Sequence, residues 1–152
     1  FILSDNSKEK LFYLDKNYYG SSTILKSELP TNLLKKSKTK SVTLDHIISK
    51  NYKKIDFNKV NIEGSEVPFL KGAIKTIKKY KPDILLEYSF SRLSKIKKFN
   101  NEKFFSLFRK LNYKVYPIGY HKKFYSNNQL KKISLHHDRD NLGVLHLIME
   151  KT

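Results

Sequence analysis

The chain has 152 residues, with 31 Lys and Arg against 14 Asp and Glu, a formal net charge of +17 and no cysteine. That length suits one domain with a hydrophobic core, and the lack of cysteine excludes disulfides, thiolate metal sites and a Cys nucleophile. Apolar runs of only a few residues fall far short of the ~20 needed to cross a bilayer, so a cytoplasmic protein without a membrane span is expected. A charge this large attracts nucleic acid, anionic membranes or phosphorylated substrates through a salt-sensitive field. Lysine is, however, spread through almost every segment, as in Lys35-Lys36, Lys53-Lys54, Lys78-Lys79 and Lys122-Lys123, with Asn abundant beside it. A general Lys and Asn bias accounts for this better than a nucleic-acid-binding face.

The opening Phe1-Ile2-Leu3 reads as the middle of a strand, so the start of the protein is expected upstream. With Leu11-Phe12-Tyr13-Leu14, and the turn-forming Ser4 to Lys8 between, it predicts a hairpin or two paired strands. From Asn17 to Lys40 the sequence is polar and broken by Gly20-Ser21-Ser22 and Pro30, which predicts loop. A short element follows from Leu44 to Ile48, with Thr43 or Asp45 as its N-cap. Alternation from Ile55 to Ile62 predicts the first core strand, ending in a turn at Gly64. Ser65 then stands where it can cap a helix whose apolar residues Val67, Leu70, Ile74 and Ile77 recur at spacings of three and four; Pro68 is tolerated in the first turn, and the helix should stop before Lys81-Pro82.

Ile84-Leu85-Leu86 is the run expected of a strand buried on both faces of a parallel sheet. Phe104, Phe105, Phe108 and Leu111 predict a helix over 102–111, Tyr113 to Ile118 a third strand, and Leu142 to Met149 a fourth. This alternation predicts an α/β fold built on a partial doubly wound, mostly parallel sheet, whose ligands gather at the carboxyl ends of the strands. The residues at those ends are Asn61, Glu63, Gly64 and Glu66 after the first strand, and Glu87 after the second.

Glycine permits a tight strand-to-helix turn at Gly64, and Glu63 and Glu66 fall near the positive end of the helix. Glu66 is read first as a partner of the helix dipole or a cap; Glu63 and Glu87 stand open to a structural or a catalytic reading. His136-His137-Asp138-Arg139-Asp140 is read as a solvated loop rather than a metal cluster. His46, His121 and His146 are isolated and are read as surface or core imidazoles, so no metal site is expected.

The ordered blocks Ile55 to Glu66, Phe69-Leu70-Lys71-Gly72-Ala73 and Lys81-Pro82-Asp83-Ile84-Leu85-Leu86-Glu87 resemble the signature of FkbM-type methyltransferases. That signature runs through Glu-Gly-x-Glu, Leu-x-Gly-Ala and a closing Pro with apolar residues and Glu. Leu3-Ser4-Asp5, Gly20-Ser21-Ser22 and Val42-Thr43-Leu44-Asp45 resemble further pieces of it, so the likeness spans roughly Leu3 to Tyr116. Two departures stand out. Asn61 replaces the Asp that usually precedes the Glu-Gly turn, and Asn58 takes an apolar strand position.

The resemblance implies a Rossmann-like, class I domain of which residues 1–152 form the C-terminal part. It implies S-adenosylmethionine as cofactor and O-methylation of a hydroxyl on a sugar, glycan or small metabolite. Glu63 or Glu87 would be general base or hydroxyl orienter, with Asn61 beside them, while Glu66 and Gly64 shape the substrate pocket. None of the five glycines forms a Gly-x-Gly cluster, so the cofactor-binding half is expected before Phe1. A truncated or degenerate methyltransferase, and a basic non-catalytic module binding nucleic acid or anionic glycan, are the competing readings.

Overall fold

A computed structural model describes residues 2–16, 23, 34–96, 98–142 and 144–152. The chain divides into two compact units, Phe1–Lys54 with Ile62–Lys79, and Ile55–Asn61 with Tyr80–Thr152. No helix among the described residues is long and apolar enough to cross a membrane.

The first unit contains β1 (Ile2–Leu3), β2 (Glu9–Asp15), β3 (Leu34–Val42), α1 (Leu44–Asn51) and nearly all of α2 (Glu66–Tyr80). Its sheet has the order β1-β3-β2, with β1 parallel and β2 antiparallel to β3. The two N-terminal strands therefore do not pair with each other, as the sequence led us to expect; β3 lies between them. Residues 34–40, expected as loop, form most of β3. Their Lys, Ser and Thr side chains carry no apolar alternation, and the strand exists because its backbone pairs with β2 from Glu9↔Lys40 to Asp15↔Leu34. Buried Ser41 donates from Oγ to the carbonyls of Asn6 (2.8 Å) and Lys8 (2.7 Å), tying the turn after β1 to β3. Gly20-Ser21-Ser22 and Pro30 lie outside the described residues.

Thr43 caps α1 by accepting from the His46 amide. Asp45 instead reaches α2, where its carboxylate accepts from the amides of Lys75 (3.1 Å) and Thr76 (2.7 Å). The face that α2 buries is Phe69, Leu70, Gly72, Ala73, Thr76 and Ile77. Val67 and Ile74, expected on that stripe, are half-buried at its flanks. Gly72 is required by contact rather than by turn geometry, because a Cβ there would lie 1.9 Å from the Ser4 carbonyl oxygen. The helix stops where Lys81 turns left-handed (φ 47°) ahead of Pro82, which cannot continue it.

The second unit contains β4 (Phe57–Val60), β5 (Asp83–Tyr88), α3 (Phe90–Leu93), α4 (Asn101–Lys110), β6 (Tyr113–Pro117), α5 (Asn127–Arg139) and β7 (Leu145–Lys151). Its sheet has the order β4-β5-β7-β6; β4 and β5 are parallel, while β7 runs antiparallel to both β5 and β6. The sheet is thus mixed rather than mostly parallel. The pairing Pro117↔Leu147 shows why: after α5 the chain re-enters the sheet beside the end of β6, and β7 runs back along it. β5 also alternates, with Ile84, Leu86 and Tyr88 buried and Leu85 and Glu87 half-buried, so it is not sealed on both faces.

On the buried face, Ile84, Leu86, Val115, Leu145, Leu147 and Met149 are at most 1% exposed. Phe104, Phe105 and Phe108 of α4 and Leu130 of α5 complete this core. Phe105 meets Tyr88 at 5.1 Å and Phe104 at 5.2 Å between centroids, both edge to face, an arrangement the ring quadrupoles favour. The buried phenols find partners: Tyr88 donates to Asn101 Oδ1 (2.6 Å) and Tyr113 to the Pro82 carbonyl (2.7 Å). Burial, aided by Asp83, pushes the Tyr113 phenol up to about 12.

His136 to Arg139, expected in a loop, close α5. The helix opens with a capping box, Ser126 Oγ accepting from the Gln129 amide and Gln129 Oε1 from the Ser126 amide. Its weak apolar stripe hid it, since buried Ser134 takes a core position by accepting from the Phe90 amide (2.9 Å) and donating to the Tyr88 carbonyl (3.3 Å).

Candidate active site

In the first unit, residues Ile62 to Ser65 form a four-residue turn closed by the Ser65 amide on the Ile62 carbonyl at 3.0 Å. Both central residues are left-handed, Glu63 at φ 48° and Gly64 at φ 86°, the signs required by a type I′ turn. Glycine meets this freely, whereas a non-glycine residue held there stores about 1 kcal/mol or more. The Glu63 carbonyl is fixed by the Thr23 hydroxyl at 2.7 Å, and the Glu63 side chain is half-buried. The Ser65 carbonyl accepts from the Phe69 amide, which starts α2. Glu66, only 4% exposed, folds back so that its Oε1 accepts from the Gly64 amide at 3.1 Å. Glu63, Gly64 and Glu66 are therefore one constellation, with Glu66 bracing the turn through the Gly64 amide.

In the second unit, the β4–β5 register ends on Val60↔Leu86. The next residues along these parallel strands are Asn61, which is exposed, and Glu87. They follow the last paired residues at adjacent carboxyl ends, where ligands collect in such sheets. On the other side of β5, Glu87 is paired directly with His146 of β7. Glu87 Oε1 lies 3.2 Å from His146 Nε2, with the Glu87 side chain 15% and the His146 side chain 41% exposed.

Asn61 thus directly follows β4, while Glu87 and His146 are paired on β5 and β7. Sequence reasoning found the first two and read the third as an isolated imidazole. The alternation Leu145, Leu147, Met149 did signal that His146 faces away from the core, but only the position of β7 beside β5 makes it a neighbour of Glu87.

Two further histidines lie together elsewhere. On α5, His136 Nδ1 lies 2.8 Å from Asp140 Oδ2, and His137 Nε2 lies 3.4 Å from the Tyr120 hydroxyl. Among the described residues no three His, Cys, Asp or Glu side chains are grouped so as to hold a metal ion.

Residues 2–115, well over half of the chain, match the methyltransferase FkbM domain, from β1 into β6 and including both Glu63 and Glu87. No curated protein and no solved structure matches the chain significantly. The chain belongs to the FkbM methyltransferase family.

Proposed function

We propose that this methyltransferase uses S-adenosylmethionine to methylate a hydroxyl of a sugar, glycan or small metabolite, and that residues 1–152 form the C-terminal part of a class I domain. The observation that carries this reading is the pair Asn61 and Glu87 at adjacent carboxyl ends of parallel β4 and β5, in a chain whose family is methyl-transferring. When bound, the cofactor supplies an electrophilic methyl group on a sulfonium. The described residues do not fit that group by themselves. At Gly64 the turn amide is already taken by Glu66, and at Gly72 the space left by the missing side chain is filled by the Ser4 carbonyl.

What the described residues do fit is a hydroxyl-bearing acceptor. Alignment of the acceptor and exclusion of water supply most of what a displacement at carbon needs. In the second unit the Asn61 amide offers a donor and an acceptor beside the Glu87 carboxylate; Glu63, in the first unit, is a separate candidate, and either carboxylate would orient a hydroxyl or take its proton. Glu66 and Gly64 act by holding the turn on which Glu63 sits.

The test is methyl transfer by the full-length protein from labelled S-adenosylmethionine to a panel of hydroxyl-bearing sugars and metabolites, read as a new O–CH3 group. Methylation confined to nitrogen, or none, overturns the reading. Glu63→Gln is expected to lower turnover by about 10²-fold or more if Glu63 handles the proton; unchanged turnover removes it from that role. Asn61, which cannot ionise where the family carries Asp, favours a second reading of a degenerate enzyme. That second reading predicts cofactor binding without turnover in the same assay.

A further inference from the structure

We infer that His146, held by Glu87, is the proton acceptor for the hydroxyl substrate, with Glu87 as its positioning residue; this rests on the methyl-transfer reading and assigns a residue that lies beyond the family match at 2–115.

What each group has left to offer decides the roles. Glu87 is the less exposed partner, and its Oε1 faces His146 Nε2. A carboxylate can only accept, so the proton of that hydrogen bond belongs to Nε2, and the lone pair of the neutral ring is left on Nδ1. Among the described residues no other side chain is bonded to His146. An imidazole whose one nitrogen is pinned by a carboxylate, leaving the other to receive a proton, is the arrangement by which a base is oriented and its cation stabilised.

Placement points the same way. His146 is the second residue of β7 and is paired with the penultimate residue of β5, so it lies at the end of the sheet where β4 and β5 finish. Its backbone is locked from both sides, by the β5 ladder and by the Ile118 amide donating to its carbonyl at 2.9 Å. Asn61 follows the end of β4, one strand further from His146 than Glu87. In the step, the acceptor O–H bond breaks and its proton goes to Nδ1. The electron pair stays on the oxygen, which becomes the nucleophile, and the imidazolium later releases the proton to solvent.

Other ionisable groups share this face of the second unit. Lys59 lies on β4, Asp83 at the start of β5, and Lys114 and Tyr116 on β6. Glu150 lies further along β7, bonded to Tyr116 and Lys122. None of these is in register with His146, whose partner on β5 is Glu87.

The experiment uses the full-length protein with S-adenosylmethionine and the acceptor that it methylates. Nitrogen-15 NMR of the histidine side chains is expected to show His146 protonated at Nε2 and bare at Nδ1, and Glu87→Gln is expected to weaken that preference. His146→Ala should lower kcat/KM by about 10²–10⁴-fold, flatten the acidic limb of the pH–rate profile and regain part of the activity on addition of free imidazole. Cofactor affinity should be unchanged. A His146→Ala protein that stays folded and keeps the wild-type rate and pH profile overturns the assignment, as does a ring carrying its proton on Nδ1. Should His146→Ala fail to fold, His146→Gln is read in the same way. A wild-type protein that methylates no hydroxyl overturns the methyl-transfer reading instead, and this assignment with it.

Discussion

The two sheets of this protein are held by opposite means. In the four-stranded sheet, β5 and β7 alternate so that Ile84, Leu86, Leu147 and Met149 are sealed on one face and Glu87 and His146 are presented on the other. In the three-stranded sheet, the central strand β3 exposes Lys35, Lys36, Lys38 and Lys40, and its buried residue is Ser41. What fixes β3 is the backbone ladder to β2, the Ser41 hydroxyl on two carbonyls and the pairing with β1. The first kind of sheet draws its stability from apolar burial, which is proportional to area and forgiving of direction. The second draws on hydrogen bonds and close contact, which are modest singly and sensitive to position.

The contrast is sharpest when each region loses or gains a few atoms. Phe105 is fully buried and meets Tyr88 and Phe104 edge to face. Phe105→Ala is expected to destabilise by about 3–5 kcal/mol, the usual cost of emptying an aromatic site in a core. Denaturant unfolding of the purified protein measures it, and a loss under about 1 kcal/mol would mean that the aromatic cluster does not hold the second unit. In the first unit the opposite change should hurt. Gly72→Ala places a methyl 1.9 Å from the Ser4 carbonyl oxygen, a backbone atom that cannot swing aside. The expected cost is about 3 kcal/mol, the upper end for overpacking. Faster hydrogen exchange at the Ser4 amide, which bonds the Val42 carbonyl at 2.9 Å, should accompany it.

The same contrast explains what could be read from the sequence. The strands of the second unit and the helices α2 and α4 announce themselves by apolar spacing, because burial is what makes them. The lysine-rich stretch that becomes β3 carries no such mark: nothing in Lys35-Lys36-Ser37-Lys38 says that a backbone ladder awaits it. α5 hid for a related reason, its core position being filled by Ser134, although Ser126 and Gln129 spelled out its start. Among the candidate residues, Glu63, Gly64 and Glu66 of the first unit and Glu87 of the second were legible as strand-end residues. The left-handed backbone of Glu63, the folding back of Glu66 onto the Gly64 amide and the partnership of Glu87 with His146 were not. The first two depend on local geometry that several residue types share, and the third on strand order, which a linear pattern does not encode.

The smallest expected effect tests the backbone account of β3 directly. Lys36 and Lys38 are exposed and share one face of the strand, opposite Tyr13 and Leu11 of β2. Lys38 Nζ lies 3.6 Å from Glu9 Oε2, with both side chains largely in solvent, where an ion pair contributes little and less as salt rises. If the ladder and the buried Ser41 hold the strand, replacing both lysines by Thr should change unfolding stability by no more than about 0.5 kcal/mol. Any shift should be upward, since a β-branched residue suits a pleated surface better than Lys does. A loss above about 1 kcal/mol would say something different about the sheet. The long lysine stems would then be covering apolar surface on Leu11 and Tyr13, and β3 would owe its place to side chains after all. Repeating the measurement at high salt separates stem from charge, because screening removes the ion pair and leaves the covered surface as it was.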